Sequence, residues 1–338
     1  MYFAFAATVA IPFRGQPCRG IAKQSGLHLS KVQLPARSTL PRRYQSASSP
    51  RRASECKATL SFHLKIAAGV TLVYQTVFYI CSVYFKTERL VDLAGTSNIA
   101  VLALLSLRVS RSLSARHLLV SLGITVWALR LGTFLVGRIA KWRHDRRFHQ
   151  MALEPVRMVQ LWSFQGIWVW MTALPALALS TARTTPLAWS DPLAVALFLL
   201  GLTLEAVADA QKEGARNEKG WPERGLWRLS RHPNYFGEIM IWTALYVGAA
   251  PALLGAGHIA ILSPVVVTCL IMFLSGVPIL ENSANSKFET DPEYRDYKAR
   301  TSVLIPFPPR LYERLPLSLK RTLFLDFPMY NSTLKKEG

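Results

Sequence analysis

Residues 201–216, GLTLEAVADAQKEGAR, bring ionisable side chains into a stretch that is otherwise apolar. Glu205 and Asp209 stand four positions apart, hence on one helix face, and Lys212 and Arg216 continue that face. Charge is costly inside a membrane helix, so such residues point to function. The plainer reading is a helix end that pairs its own acids with its own bases. A second stretch, GLWRLSRHPNYFGEIMIWTAL (225–245), also runs from polar residues straight into apolar ones. Pro233 suits a first helical position, which leaves Arg231 and His232 just outside and puts Asn234, Tyr235 and Glu238 in the first turns. A helix N-terminus offers free N–H groups to phosphate, and arginine supplies a bidentate partner. Glu238 alone would be accounted for by the helix dipole; five polar groups of different chemistry are not.

Two further stretches carry candidate groups. DPEYRDYKARTSVLIPF (291–307) follows Glu281 and contains Tyr297. It serves either as a membrane-surface anchor, where tyrosine and basic residues collect, or as a clamp on phosphate and ribose. WALRLGTFLVGRIAKWRHDRRF (127–148) holds Arg130 within an apolar helix, with Arg138, Arg143, Arg146 and Arg147 as topology-setting flanks. In LWSFQGIWVW (161–170), Gln165 requires a partner if it is buried.

The elements that must position these groups are membrane helices. The chain has 338 residues, is 51% hydrophobic and has a mean hydropathy of +0.21. Apolar blocks fall near 64–84, 97–109, 117–137, 159–180, 193–210, 236–256 and 258–279, most of them long enough to cross a bilayer. The expected fold is all-α, a polytopic membrane helix bundle of six to seven transmembrane helices. It forms one domain over residues 56–310, followed by a basic tail over 311–338 that suits a membrane surface. The basic loops 138–158, 211–232 and 281–310 are separated by even numbers of crossings, which places them on one side.

The net charge of +20 does not point to nucleic acid, because much of it lies in the first 55 residues and the rest flanks apolar segments. Residues 1–55 are rich in Arg, Ser and Pro, and their first acid is Glu55. That is the composition of an organelle transit peptide, and the uncharged start MYFAFAATVA tilts it towards plastid over mitochondrion; the endoplasmic reticulum is the third destination. Cys18, Cys56, Cys81 and Cys269 form no CxxC, and the histidines show no HxxxH or HExxH spacing, so neither a disulfide framework nor a metal is expected.

The order LEAVADAQK, GLWRLSRHPNYFGE, DPEYRDYKARTSVLIPF resembles the steroid 5-alpha-reductase C-terminal superfamily and, within it, the DUF1295 branch of multi-spanning, reductase-like membrane proteins. The resemblance covers about residues 115–310. It implies a helical membrane fold with NADPH in a polar cavity in the C-terminal half, open towards the basic loops. It also implies hydride transfer to a polarised C=C bond, of enone type, in a lipophilic steroid-like, isoprenoid or other lipid substrate. By that resemblance Asp209, Arg216, Arg231, His232, Asn234, Tyr235, Glu238 and Tyr297 line the cofactor site, joined by Glu205, which stands where several relatives have Asn, and Tyr235 and His232 are the candidate catalytic acids. Where steroid reductases polarise a carbonyl with a Glu–Tyr pair, the position nearest the tyrosine is Trp127, which donates an N–H but delivers no proton. RHPxYxG patterns also occur in isoprenylcysteine and phospholipid methyltransferases, so an S-adenosylmethionine-dependent methyltransferase is the first rival. A non-catalytic membrane protein that keeps the pocket is the second.

Overall fold

A computed structural model describes residues 50–85, 87, 90–110, 113–141, 155–215 and 220–330. The long helices are α1 (Pro50–Tyr84), α2 (Leu90–Val109), α3 (Ala115–Lys141), α4 (Pro155–Thr172), α6 (Ser190–Gly214) and α7 (Pro233–Ala249). The short α5 (Leu174–Leu179) continues α4 after a break at Ala173. After α7 the chain passes through 3-10 turns to α8 (Leu262–Cys269), a π-helical turn (Leu270–Leu274) and α9 (Val277–Phe288). Three short helices follow, α10 (Pro292–Arg300), α11 (Pro309–Glu313) and α12 (Leu317–Thr322).

The protein is an all-α polytopic bundle. Five helical stretches are long and apolar enough to cross a membrane: Ser54–Tyr84, Leu90–Val109, Ala115–Arg138, Ser190–Gly214 and Gly255–Phe288. The other two long helices, α4 with 18 residues and α7 with 17, pack among them. Buried Ile99, Leu102, Ile124, Trp127, Leu174, Leu177 and Trp242 belong to one continuous apolar core. Phe62, Leu72, Val73, Val77 and Ile80 of α1 point outward, the side a bilayer would cover.

Cross-helix contacts fix the directions. Gln75 with Asn98, and Ser106 with His117, tie α1 to α2 and α2 to α3, and the short connections 85–89 and 110–114 make both pairs antiparallel. Arg116 with Asp191 at one end and Arg130 with Glu205 at the other make α3 and α6 parallel. The start of α1, the end of α5 and residues 250–261 therefore lie at one end, called lower here. The ends of α3, α6 and α9, which lead into the three basic loops, lie at the upper end.

Two local features position the upper end. Gly201 and Gly237 lie where α6 and α7 come closest: a Cβ on Gly237 would sit 2.6 Å from the Gly201 carbonyl oxygen and 2.8 Å from the Glu205 nitrogen. Only glycine allows that approach, and it sets Glu205 directly beside the first turns of α7. Gln165 finds the partners that burial demands, since its Nε2 donates to Gln75 Oε1 at 3.2 Å and to the Val91 carbonyl at 2.8 Å.

Candidate functional site

Two polar clusters occupy the upper end. The first lies between α3, α6 and α7. Arg130 reaches from α3 with Nη1 2.7 Å from Glu205 Oε1 and Nη2 2.6 Å from Asp209 Oδ2. The four-residue spacing on α6 places the two acids one turn apart, which a guanidinium fork can span. Asn234 Nδ2 donates to Asp209 Oδ1 at 3.3 Å, and Glu238 lies one turn further along α7, one turn before Trp242. Trp242 meets Trp127 edge-on, with ring centroids 4.8 Å apart. Glu205, Asp209, Asn234 and Glu238 are all buried. Yet Glu205 Oε2 and Asn234 Oδ1 have no hydrogen-bond partner among the described residues. A buried acceptor without a donor is costly, so both atoms call for a hydroxyl, an amide or water.

The second cluster joins the segment before α7 to the C-terminal third. Residues 229–231 run beside 302–307: Arg231 N–H donates to the Ser302 carbonyl at 2.8 Å and Phe307 N–H to the Leu229 carbonyl at 3.0 Å. The Arg231 side chain is nearly consumed. Its Nε donates to Glu281 Oε1 at 3.0 Å, its Nη1 to the carbonyls of Lys298 and Thr301, and its Nη2 lies 3.5 Å from Asp326 Oδ1. Lys298 Nζ stands 3.2 Å from Glu281 Oε2 and donates to Asn285 Oδ1 and the Tyr330 carbonyl. Burial opposes the charge on Arg231, but Glu281 and Asp326 outweigh it and hold the guanidinium above even its ordinary range. For Lys298 burial wins over Glu281, and the ammonium falls below the usual lysine range.

His232 stacks on Tyr235 with ring centroids 5.6 Å apart and 19° between planes. Its Nε2 lies 2.9 Å from Glu281 Oε1, while the buried Nδ1 has no partner among the described residues. Burial lowers the His232 pKa, and the hydrogen bond to Glu281 works the other way without cancelling it. Tyr297 OH donates to the Trp227 carbonyl at 2.8 Å, bracing α10 against the 225–228 turn, and burial raises its phenol pKa.

Of the residues proposed from sequence, Glu205, Asp209, Asn234 and Glu238 come together in the first cluster. Arg231, His232 and Tyr235 belong to the second, and Tyr297 stands at its edge. Arg216 lies outside the described residues. The partners that spacing did not reveal are Arg130 as the bridge of the first cluster, and Asn285, Lys298, Asp326 and Tyr330 in the second. Asp326 and Tyr330 belong to the tail expected to lie on the membrane surface; instead Tyr330 is buried, with its OH donating to the Met272 carbonyl at 2.8 Å.

The family model described as Protein of unknown function (DUF1295) matches residues 78–301, about two thirds of the chain. The protein belongs to the DUF1295 family. That family is consistent with a branch of the steroid 5-alpha-reductase-like superfamily, and the protein is a multi-pass membrane protein of that kind. The match starts within α1, earlier than the sequence resemblance at about residue 115, and closes at Thr301, before the strap that carries Asp326 and Tyr330. Searches of the curated proteins and of the solved structures found no match.

The DUF1295 residues can be tested against the dinucleotide that the superfamily implies. The unpartnered acceptors Glu205 Oε2 and Asn234 Oδ1 suit ribose hydroxyls or a carboxamide N–H. The first cluster holds three carboxyl groups against one arginine, which is wrong for phosphate. Arg231, proposed from sequence as a phosphate ligand, has Nε and Nη1 hydrogen-bonded to Glu281, Lys298 and Thr301, while Nη2 faces Asp326 as an ion pair at 3.5 Å without a hydrogen bond. The residues thus suit the sugar and amide parts of such a cofactor and not its phosphates. Among the described residues, no group of three or more His, Cys, Asp or Glu side chains is placed to hold a metal ion.

Proposed function

We propose that the protein is an integral-membrane, NADPH-dependent reductase of a polarised C=C bond in a lipophilic substrate. The observation that carries this reading is the buried Arg130–Glu205–Asp209–Asn234–Glu238 cluster, with two acceptor atoms unfilled in the described structure. Polar groups are held at this depth only at a cost, and membership of a reductase-like superfamily supplies a use for them. NADPH supplies the hydride; this chain's residues bind the sugar and amide, hold the donor against the substrate and exclude water. Tyr235 and His232, stacked on each other in the second cluster, are the proposed proton donors. Substrate reaches the bundle from the lipid, cofactor from the basic upper end. The Arg- and Ser-rich residues 1–55 support delivery to an organelle, a plastid first.

One feature favours a second reading. Three carboxyl groups facing one arginine suit a sulfonium cation and its ribose as well as they suit a nicotinamide riboside, so S-adenosylmethionine-dependent methyl transfer stands as the alternative. Calorimetric titration of the purified full-length protein with NADPH, NADH and S-adenosylmethionine separates the two. The reductase reading expects saturable NADPH binding that Glu205→Gln and Asn234→Leu weaken. Saturable S-adenosylmethionine binding without NADPH binding would replace it with the methyltransferase, and binding of none of the three would leave a non-catalytic membrane protein.

A further inference from the structure

A cavity lies at the lower end, remote from both polar clusters. It encloses about 980 Å³ between the start of α1, the end of α5 and residues 252–257. The 17 residues of α7 separate it from the first cluster, about 25 Å at 1.5 Å per residue. Nothing bound there can therefore meet groups held by Asn234 or Glu205.

The lining is amphiphilic. Leu60, Ala178, Ala252 and Leu253 are buried and form an apolar floor. Lys57 and Arg183 are exposed and line it, as do Glu55, Ser54 and Thr181. The stretch of α1 long and apolar enough to cross a membrane, Ser54–Tyr84, includes the residues that line the cavity from Ser54 to Leu60. At the same end Leu187 and Trp189 are exposed, Trp189 at 80%, and exposed tryptophan marks the boundary between hydrocarbon and water. A cavity of this volume is within the range that holds a small amphiphile. Apolar surface below and two cations at headgroup depth match a molecule with hydrocarbon chains and an anionic phosphate.

We propose that this cavity is a binding site for the phosphate-bearing headgroup of a membrane phospholipid, with Lys57 and Arg183 on the phosphate and the glycerol and first chain carbons over the Leu60 and Leu253 floor. The site is independent of the proposed reductase chemistry and stands or falls without it. Cys56 reports on it directly, because it lines the cavity and is only partly buried, with its thiol 3.6 Å from the Thr181 carbonyl oxygen. The full-length protein with Cys18, Cys81 and Cys269 changed to serine is held in non-ionic detergent, and Cys56 alkylation is followed as lipid is added. Phosphatidylglycerol, phosphatidylethanolamine and phosphatidylcholine should each slow alkylation severalfold and saturably, and diacylglycerol should not. Lys57→Gln with Arg183→Gln should abolish the protection while leaving the lipid-free rate in place. Equal protection by diacylglycerol would overturn the proposal, as would no protection by any lipid. So would a Cys56 that is unreactive before lipid is added, because the chain itself would then fill the space. Mass spectrometry of the detergent-purified protein gives a second reading: phospholipid retained by the parent and lost from the double variant supports the site, and none retained by the parent contradicts it.

Discussion

Replacing Arg130 by glutamine removes the one cation that bridges two buried carboxylates. Its contacts are 2.7 Å to Glu205 and 2.6 Å to Asp209, whose side chains are 3% and 6% exposed, against 17% for the arginine. Removing one partner of a buried pair costs about 3–5 kcal/mol, because the other charge is left without compensation. At about 2–4 °C per kcal/mol for a chain of this size class, the melting temperature should fall by about 6–20 °C. The partly exposed arginine puts the result towards the lower end. The assay is a thermal melt in detergent, read by fluorescence or by loss of the monodisperse chromatographic peak. The control is the triple variant Arg130→Gln, Glu205→Gln, Asp209→Asn, which removes all three charges and should recover most of the loss. A single variant within about 1 kcal/mol of the parent, the range of a surface pair, would refute the reasoning. So would a triple variant that melts below the single one.

Three other outcomes follow from the same geometry. Gly237→Ala should destabilise the bundle by about 1–3 kcal/mol or more, since its methyl would meet backbone atoms of α6 at 2.6 and 2.8 Å; the same melt checks it, and an unchanged melting temperature would contradict the close approach. The pKa of His232 is lowered in the folded protein, so its contribution is complete above the ordinary histidine value of about 6.5 and is lost as pH falls below it, when the unfolded chain takes the proton first. Melts between pH 8 and 5, spanning that value, should lose stability towards the acid side, less steeply in His232→Gln; equal slopes in both would exclude His232 as a source. Asp326→Ala should leave Arg231 Nη2 without its partner at 3.5 Å and loosen residues 316–330, seen as faster amide hydrogen exchange there, with little change in the α1/α2 pair.

How much of this was legible in the sequence depends on the range of each interaction. The helices were, because apolar blocks declare themselves locally; the start of α1, the start of α2 and the end of α9 extend well beyond the blocks read from sequence, and α7 ends before its block does. The Glu205/Asp209 face and the Asn234/Glu238 turn were readable because helical periodicity fixes a face. Arg130 was visible as a buried cation, but 75 residues separate it from Glu205, and no local pattern names a partner at that distance. Arg231 illustrates the same limit. Its place before a helix N-terminus suggested a phosphate ligand, while Glu281 and Asp326 arrive from segments 50 and 95 residues on and pair with it. The tail misled for a compositional reason: LPLSLKRTLFLDF looks like a surface helix, and nothing in it announces that Asp326 and Tyr330 would be drawn onto Arg231 and Lys298.

The central claim is that the Arg130–Glu205–Asp209–Asn234–Glu238 cluster holds the sugar and amide of a reduced nicotinamide nucleotide. Trp127 and Trp242 pack beside that cluster, which makes tryptophan-sensitised emission from bound NADPH the most direct measurement. The account predicts saturable sensitised emission from the full-length protein, weakened in Asn234→Leu and Glu205→Gln, and reduced in amplitude but not in affinity in Trp127→Phe. Sensitised emission that is absent from the parent, or that persists unchanged in both cluster variants, would contradict it.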